Sequence, residues 1–298
     1  MAYYLRRKDS SIEKGIRRIA CEQIDKAIAM IDFADDREEA VHSIRLHCKK
    51  LRGLTRIVRP VFKDYRQEDV AFRDTARLLS GIRDAKVMQE TYDKLVESPD
   101  EPFDRRTLEP IRRRFTLERK AELARTGIEV RFDQCREQLA TARKRARRWK
   151  LSDDGWNAIA GGLIKTYTRA CRAAENTRKE PNAENYHELR KRLKYHWYHA
   201  LLLRKLSPKE MRARAASLER ISDLLGEHHD LFVFESRIKE NPESFGARTN
   251  IQMALNLARR RREILGEQTW PIIDRMLAMP PDALADHWQT KWKAWRNI

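Results

Sequence analysis

The chain has 298 residues, 41% of them hydrophobic, with only ten glycines and ten prolines. That composition can support a packed core, so it excludes a disordered chain. A net charge of +18 at pH 7 indicates an anionic partner. On charge alone, nucleic acid, an acidic membrane and another polyanion all remain open. The N-terminus has no apolar signal-type segment and the chain has no apolar run of membrane-spanning length, so a cytoplasmic location without a membrane partner is the default expectation.

Breakers and capping residues divide the chain into about eight predicted helices. In chain order they are 10–33, 35–59, 67–97, 105–150 with a possible break near Gly127, 152–181, 182–207, 208–241, and one from 244 into a tail broken by Pro271, Pro280 and Pro281. The last stretch, DALADHWQTKWKAW, is predicted as a short terminal helix. No segment alternates like a half-buried strand, so the predicted fold class is all-α.

Two blocks of sequence occur twice in the same order. VHSIRLHCKKLRGL in the second predicted helix matches YHELRKRLKYHWYH in the sixth at a shift of 145, and LLSGIRDAKV matches LLGEHHDLFV at a shift of 146. We interpret this as a duplicated four-helix unit, with repeats at about 8–150 and 151–298. The matched polar positions are His42 with His187, Arg45 with Arg190, Lys49 with Lys194, and Asp84 with Asp230. We interpret Asp84 and Asp230 as groups that orient neighbouring arginines.

The second predicted helix carries a row of cations on one face. With His42 at zero, Arg45, Lys49, Arg52 and Arg56 fall at about 300°, 340°, 280° and 320° around the helix axis. The apolar residues cluster near about 190°, on another side. Like charges three or four residues apart weaken an isolated helix, whereas Arg and Lys side chains suit phosphate oxygens. Each repeated histidine is open either to a phosphate hydrogen bond or to local packing.

The sixth predicted helix repeats this row over two turns. It carries His187, Arg190, Lys191 and Lys194, and then ends because Trp197 and Leu201 occupy the continuing positions. If two pseudo-symmetric bundles face each other, both rows line one central basic groove suited to a linear polyanion. Further arginines that could extend this surface are Arg17, Arg77, Arg112, Arg113, Arg259 and Arg260.

No catalytic or metal-binding motif is present. The sequence has no phosphate loop, GxSxG, HExxH or paired-carboxylate arrangement, so no enzyme activity and no cofactor is predicted. The four cysteines form no CxxC pair and are interpreted as reduced, packed thiols. His228 and His229 next to Asp230 have no histidine counterparts in the first repeat, and a structural or surface role is favoured over a metal site.

The motif H-x-x-R-x-x-x-K at His42 and at His187, each followed by LL-x-x-x-x-D, resembles the CHAD (conserved histidine α-helical domain) family. The resemblance runs from about residue 10 to 277 and implies two four-helix bundles related by pseudo-twofold symmetry. It also implies binding of inorganic polyphosphate in a central basic cavity, with some members at polyphosphate granules. Arg83 matches the arginine of the family's R-D pair, which His229 replaces in the second repeat. Lys50 belongs to the predicted site of the first repeat, whereas Tyr195 takes its place in the second.

The leading hypothesis is therefore a single two-repeat domain, 8–298, that binds polyphosphate without catalysis. Targeting to polyphosphate granules belongs to the same hypothesis. The alternative is a nucleic-acid-binding protein that uses the same basic surface, with affinity that depends on sequence or strandedness. A metal- or phosphate-handling enzyme that uses the histidines is the third hypothesis.

Overall fold

The computed structural model describes residues 3–97, 105–125 and 127–297, and these form eleven α-helices and two short 3₁₀ helices without a strand. The all-α prediction is confirmed. The helices are α1 (Ile12–Phe33), α2 (Arg37–Ile57), α3 (Tyr65–Leu78), α4 (Ser80–Glu97), α5 (Glu109–Arg125), α6 (Ile128–Ala146), α7 (Asn157–Lys179), α8 (Ala183–Leu202), α9 (Pro208–Glu240), α10 (Arg248–Leu277) and α11 (Pro281–Asn297), and the 3₁₀ turns are Arg105–Leu108 and Pro242–Phe245.

The two helices that carry the cation rows begin at the predicted caps. The Asp36 carboxylate accepts hydrogen bonds from the backbone N–H groups of Glu38 and Glu39, at 2.8 and 3.2 Å. The Asn182 side chain accepts one from the N–H of Asn185 at 2.9 Å. These bonds satisfy donors that the first turn of a helix leaves without partners, so they fix where α2 and α8 start.

The prediction of one helix over 67–97 is wrong, because α3 ends at Leu78 and α4 begins at Ser80. The interruption frees carbonyl groups, and side chains from other helices satisfy them. Arg45 donates to the carbonyl of Ala76 at 2.7 Å, and Arg131 donates to that of Leu78 at 2.9 Å. Tertiary hydrogen bonds therefore compensate the break.

The predicted break at Pro271 is also wrong, since α10 continues through this residue to Leu277. Proline removes one backbone donor from a helix. The Pro271 ring lies on the exposed side of α10, where water can replace the missing partner, while Ile273 anchors the helix in the core. By contrast, the break predicted near Gly127 is confirmed, with a left-handed φ of 50° at this glycine.

Two hydrophobic cores hold the helices together, and both draw on both halves of the sequence. The larger core contains residues of α1–α3 and α6–α8, the N-terminal part of α9, and α11, together with Ile82 of α4 and Ile273 of α10. The smaller core joins α4 and α5 to the C-terminal part of α9 and to α10. Three fully buried phenylalanines pack there with tilted rings: the centroid of Phe115 lies 5.3 Å from that of Phe234 and 5.0 Å from that of Phe245. The cores are therefore not divided at the boundary between the predicted repeats.

Glycines allow α2 to lie very close to α7 and α8. A Cβ atom on Gly53 of α2 would be 2.7 Å from the Cβ of Tyr198 in α8. The buried His199 ring lies 3.2 Å from the carbonyl oxygen of the same glycine. A Cβ atom on Gly162 of α7 would be 1.9 Å from the carbonyl oxygen of Ile57. These contacts fix the separation of the helices that carry the two cation rows.

All four cysteines are free thiols, as predicted. Cys48 and Cys135 are buried, and burial raises the pKa of each thiol to about 12. Both are therefore protonated at neutral pH and act as small packed side chains.

Candidate functional site

Cations from the two rows meet around Lys49. Its side chain reaches solvent, yet its pKa is lowered to about 8 by desolvation and by the charges of Arg45, Arg190, Lys194 and Arg83. Two of these neighbours are on α8, in the second half of the chain. We call Arg45, Lys49, Arg83, Arg190 and Lys194 the central cation cluster.

Lys194 is in a similar electrostatic environment. Desolvation, followed by the charge of Arg190, lowers the pKa of Lys194 to about 8, although Asp223 and Glu219 act in the opposite direction. Its ammonium group lies 4.0 Å from the centroid of the Trp197 ring, a cation–π contact that holds the side chain in place.

Most of the cluster has no acidic partner. Within the described part of the chain, no carboxylate forms an ion pair with Arg45, Lys49, Arg190 or Lys194. Arg83 is the exception, with Glu90 at 3.4 Å. Elsewhere the arginines are commonly paired, for example Arg119 with Glu38 or Arg145 with Glu68. Without a bound anion, the repulsion between these four unpaired cations therefore destabilises the folded protein.

Equivalent arginines of the two rows have different surroundings. Arg45 uses one guanidinium nitrogen to cap the interrupted end of α3, through Ala76. The corresponding helix of the second half, α9, is continuous, and among the described residues the buried Nε of Arg190 has no hydrogen-bond partner. The Arg190 guanidinium lies over Gly226, where an added Cβ would be 3.3 Å from its Nη2. Arg190 is therefore less tied by internal hydrogen bonds than Arg45 is in the described structure.

Two acids lie beside the cluster without pairing with it. Desolvation raises the pKa of Asp84 despite the opposing charges of Arg45 and Lys49. Desolvation also raises the pKa of Asp230 despite the charge of Arg190. The interpretation that these acids orient arginines stays a prediction.

The repeated histidines lie at the edge of the cluster. Desolvation and the charge of Arg83 lower the pKa of His42, and desolvation and the charge of Lys191 lower that of His187. The His187 ring lies 4.5 Å from that of His229, and its buried Nδ1 has no hydrogen-bond partner in the described ranges. Both histidines are therefore predominantly neutral at pH 7, and each can still donate one ring N–H to an oxyanion.

The row on α2 is not uniform. Arg52 and Arg56, also predicted to bind the ligand, share the carboxylate of Asp69 at 3.0 and 2.8 Å. Both guanidinium groups lie over the ring of Tyr195, at 6.0 and 4.1 Å from its centroid. Arg56 is buried. Sequence reasoning missed Asp69 because it comes from a different helix, with no motif that links it to these arginines.

The other predicted site residues are spread over several helices. None of the charges that act most strongly on Lys49 belongs to them. Arg17 donates a hydrogen bond to the carbonyl of Trp149 at 2.6 Å. Three others lie beside acids: Arg112 pairs with Asp93 at 2.9 Å, Arg77 lies 3.8 Å from Asp74, and Lys191 pairs with Glu188. The charge of Lys50 helps to lower the pKa of Lys194, and Arg113, Arg259 and Arg260 are exposed. Their predicted role in binding stays a prediction.

The depressed lysine pKa values predict how stability depends on pH. Replacing Lys49 and Lys194 by methionine should increase the free energy of unfolding at pH 7.5 by about 1 kcal/mol, after allowance for solvent screening. The increase should shrink as pH rises from about 8 toward 10.5, because the native lysines lose their protons there before the unfolded chain does. Urea unfolding of both proteins at several pH values measures this difference.

The wild type and the methionine variant must be compared with each other, because the buried thiols have the opposite effect on the free energy of unfolding as pH rises. Cys48 and Cys135 keep their protons in the native state at a pH where the unfolded chain loses them. Their contribution cancels between wild type and variant. A stability difference that stays constant from pH 7.5 to 10 would contradict the assigned lysine environments.

No described helix combines the length and apolarity needed to cross a bilayer. Among the described side chains, no three His, Cys, Asp or Glu residues are grouped in a way that could hold a metal ion.

Comparison with known proteins identifies relatives at the level of family and fold. PptA from Streptomyces chartreusis aligns with a TM-score of 0.64 at 12% sequence identity, covering 91% of this chain and 100% of that chain. The crystal structure of the CHAD domain from the plant Ricinus communis aligns with a TM-score of 0.58 at 19% identity, covering 99% and 95%. No curated protein matches the sequence significantly. The family described as CHAD domain matches residues 18–239, most of the sequence. The chain therefore belongs to the CHAD domain family.

Proposed function

We propose that this protein binds inorganic polyphosphate at the central cation cluster, in a basic groove between α2 and α8, and that it does so without catalysis. The observation that carries the proposal is the meeting of Arg45 and Lys49 with Arg190 and Lys194, none of which has an acidic partner among the described residues. A dense polyanion removes their mutual repulsion and supplies the missing hydrogen-bond acceptors.

A linear phosphate polymer fits this arrangement for two reasons. The cations follow helix faces, so their charges form an extended row, whereas a single phosphate needs only one concave nest. The row also mixes guanidinium forks with compact ammonium groups, and both bind phosphoryl oxygens without reading a sequence. The association of the CHAD family with polyphosphate supports this ligand. Targeting to polyphosphate granules belongs to the same proposal.

The test is calorimetric titration of the protein with long-chain polyphosphate, single-stranded DNA and duplex DNA, each at physiological salt and counted per phosphate. We expect polyphosphate to bind most tightly and to displace either DNA at much lower phosphate concentration. Stronger binding of DNA, with affinity that depends on base sequence or strandedness, would favour the nucleic-acid alternative. Equal weak binding of all three would reduce the cluster to a generic basic surface.

Binding should also take up protons. Polyphosphate should raise the pKa of Lys49 and of Lys194 back from about 8, so affinity should fall as pH increases from 7 to 9. Titration at pH 8 in buffers with different ionisation enthalpies measures the proton uptake. A variant with methionine at both positions should lose most of the uptake, and undiminished uptake in that variant would assign it to other groups.

A further inference from the structure

Asp69 of α3 occupies the centre of a compact ionic group on the α2 cation row. Its carboxylate accepts a bidentate pair of hydrogen bonds from Arg52, at 3.0 and 3.3 Å, and another from Arg56 at 3.0 Å. Arg56 also donates to the Tyr65 hydroxyl. Desolvation lowers the pKa of Arg52, but the hydrogen bond and the charge of Asp69, together with the effects of Tyr195 and Tyr65, outweigh it, so the pKa lies above its usual value. Arg52 thus already has its guanidinium bound to an internal anion, which it shares with Arg56.

The α2 row therefore has two parts with different electrostatics. Up to Lys49 the cations form no ion pair with an acid in the described structure. Desolvation and mutual repulsion lower the pKa of Lys49, and desolvation and the charge of Arg83 lower that of Arg45 against the opposing charge of Asp84. One turn later the side chains of Arg52 and Asp69 are only 21% and 17% exposed and satisfy each other. A phosphate that reached Arg52 would have to displace a carboxylate already bound there in two places.

The second half of the chain ends its row at the same level by different means. Trp197 and Leu201 stand where the α2 row has Arg52 and Arg56, and Ala215 stands where α3 has Asp69. All three charged residues of the ionic group thus have apolar counterparts. Both rows consequently present their last available cation at an equivalent position, Lys49 on α2 and Lys194 on α8.

We infer that Asp69 is a specificity-determining residue that ends the ligand-binding part of the α2 row after Lys49, and so limits how many phosphates of a polyphosphate chain are engaged. This inference rests on the proposed function. Asp69 acts through Arg52, by occupying its guanidinium donors. Its removal should extend the binding face by at least one arginine.

The experiment measures the affinity for long-chain polyphosphate, and its salt dependence, for the wild-type protein, for Lys49→Gln and for four variants at Asp69 and Arg52. Asp69→Asn should bind about five- to tenfold more tightly at low salt. The slope of log affinity against log salt should become steeper by roughly 0.7 for each arginine released. Arg52→Gln in the wild-type background should change affinity less than about twofold. In the Asp69→Asn background the same replacement should abolish the gain. Asp69→Glu, which keeps the charge, should resemble wild type.

Each result has a distinct meaning. If Arg52→Gln alone weakens binding as strongly as Lys49→Gln, then Arg52 already binds the ligand and Asp69 does not end the row. An Asp69→Asn protein that is folded by circular dichroism but has unchanged affinity and salt slope also overturns the inference. If that variant does not fold, the comparison of Arg52→Gln with Lys49→Gln still decides. Absence of polyphosphate binding in the wild-type protein is a different outcome, because it overturns the proposed function itself.

Discussion

Replacing Arg45, Lys49, Arg190 and Lys194 together by alanine is expected to weaken polyphosphate binding by at least about a thousandfold at low salt. A charged hydrogen bond contributes on the order of 1 kcal/mol or more, and four such losses correspond to about three orders of magnitude. The salt slope should fall by about 3, because each lost phosphate contact removes roughly 0.7. Calorimetric titration over a series of salt concentrations measures both quantities.

The matched control removes the same charge from elsewhere on the protein. Lys144, Lys165, Arg212 and Arg248 are exposed cations on α6, α7, α9 and α10, outside the central cation cluster. Their combined replacement by alanine should lower affinity only modestly, through the reduced net charge. The cluster variant loses the hydrogen bond from Arg45 to the Ala76 carbonyl and the contact of Lys194 with Trp197, but it also loses repulsion between like charges, so circular dichroism should establish that both quadruple variants are folded. Equal loss of affinity in the two quadruple variants would contradict a defined site.

Gly162→Ala is expected to destabilise the fold by about 3 kcal/mol or more, or to prevent folding. The new Cβ would lie 1.9 Å from the carbonyl oxygen of Ile57, 2.3 Å from its carbonyl carbon and 2.7 Å from the carbonyl oxygen of Arg56. All of these are backbone atoms in the last turn of α2, so a side-chain rotation cannot relieve the overlap. Urea unfolding measures the loss.

The neighbouring glycine provides the control. A Cβ on Gly161 would meet only the ring of Pro60, with 3.1 Å to its Cγ, and Gly161 is itself exposed. Alanine favours helix over glycine by up to about 1 kcal/mol, which offsets this contact. Gly161→Ala should therefore change stability by less than about 1 kcal/mol. Similar stability of the two variants would show that α7 can move away from α2.

Local sequence signals predicted most helix boundaries. Asp36 and Asn182 accept hydrogen bonds from the first turns of their helices, and Gly127 interrupts the chain as expected. The wrong predictions concern positions where contacts with residues distant in the sequence determine the backbone structure. At the interruption at Leu79, Arg45 and Arg131 satisfy the carbonyls that are released, and both arginines come from other helices. No local propensity contains that information.

The candidate site could be predicted in part. Helical periodicity placed Arg45 and Lys49 on one face, and the repeat placed Arg190 and Lys194 on the equivalent face. Periodicity treats all cations of a row alike, however, so it could not distinguish Lys49 from Arg52. That distinction depends on Asp69, which tertiary packing brings against Arg52.

Under the proposed polyphosphate-binding function, the close crossing of α2 and α8 at Gly53 has a consequence for selectivity between polymers. Because Tyr198 packs directly on this glycine and His199 contacts its carbonyl, the two helices have little freedom to open or close. A rigid receptor requires its partner to make the conformational adjustment, and the entropy cost then depends on how stiff that partner is. A chain joined by single P–O–P linkages bends within a few bonds, whereas duplex DNA stays straight over about 150 base pairs. Stiffness therefore provides a basis for discrimination that does not depend on charge.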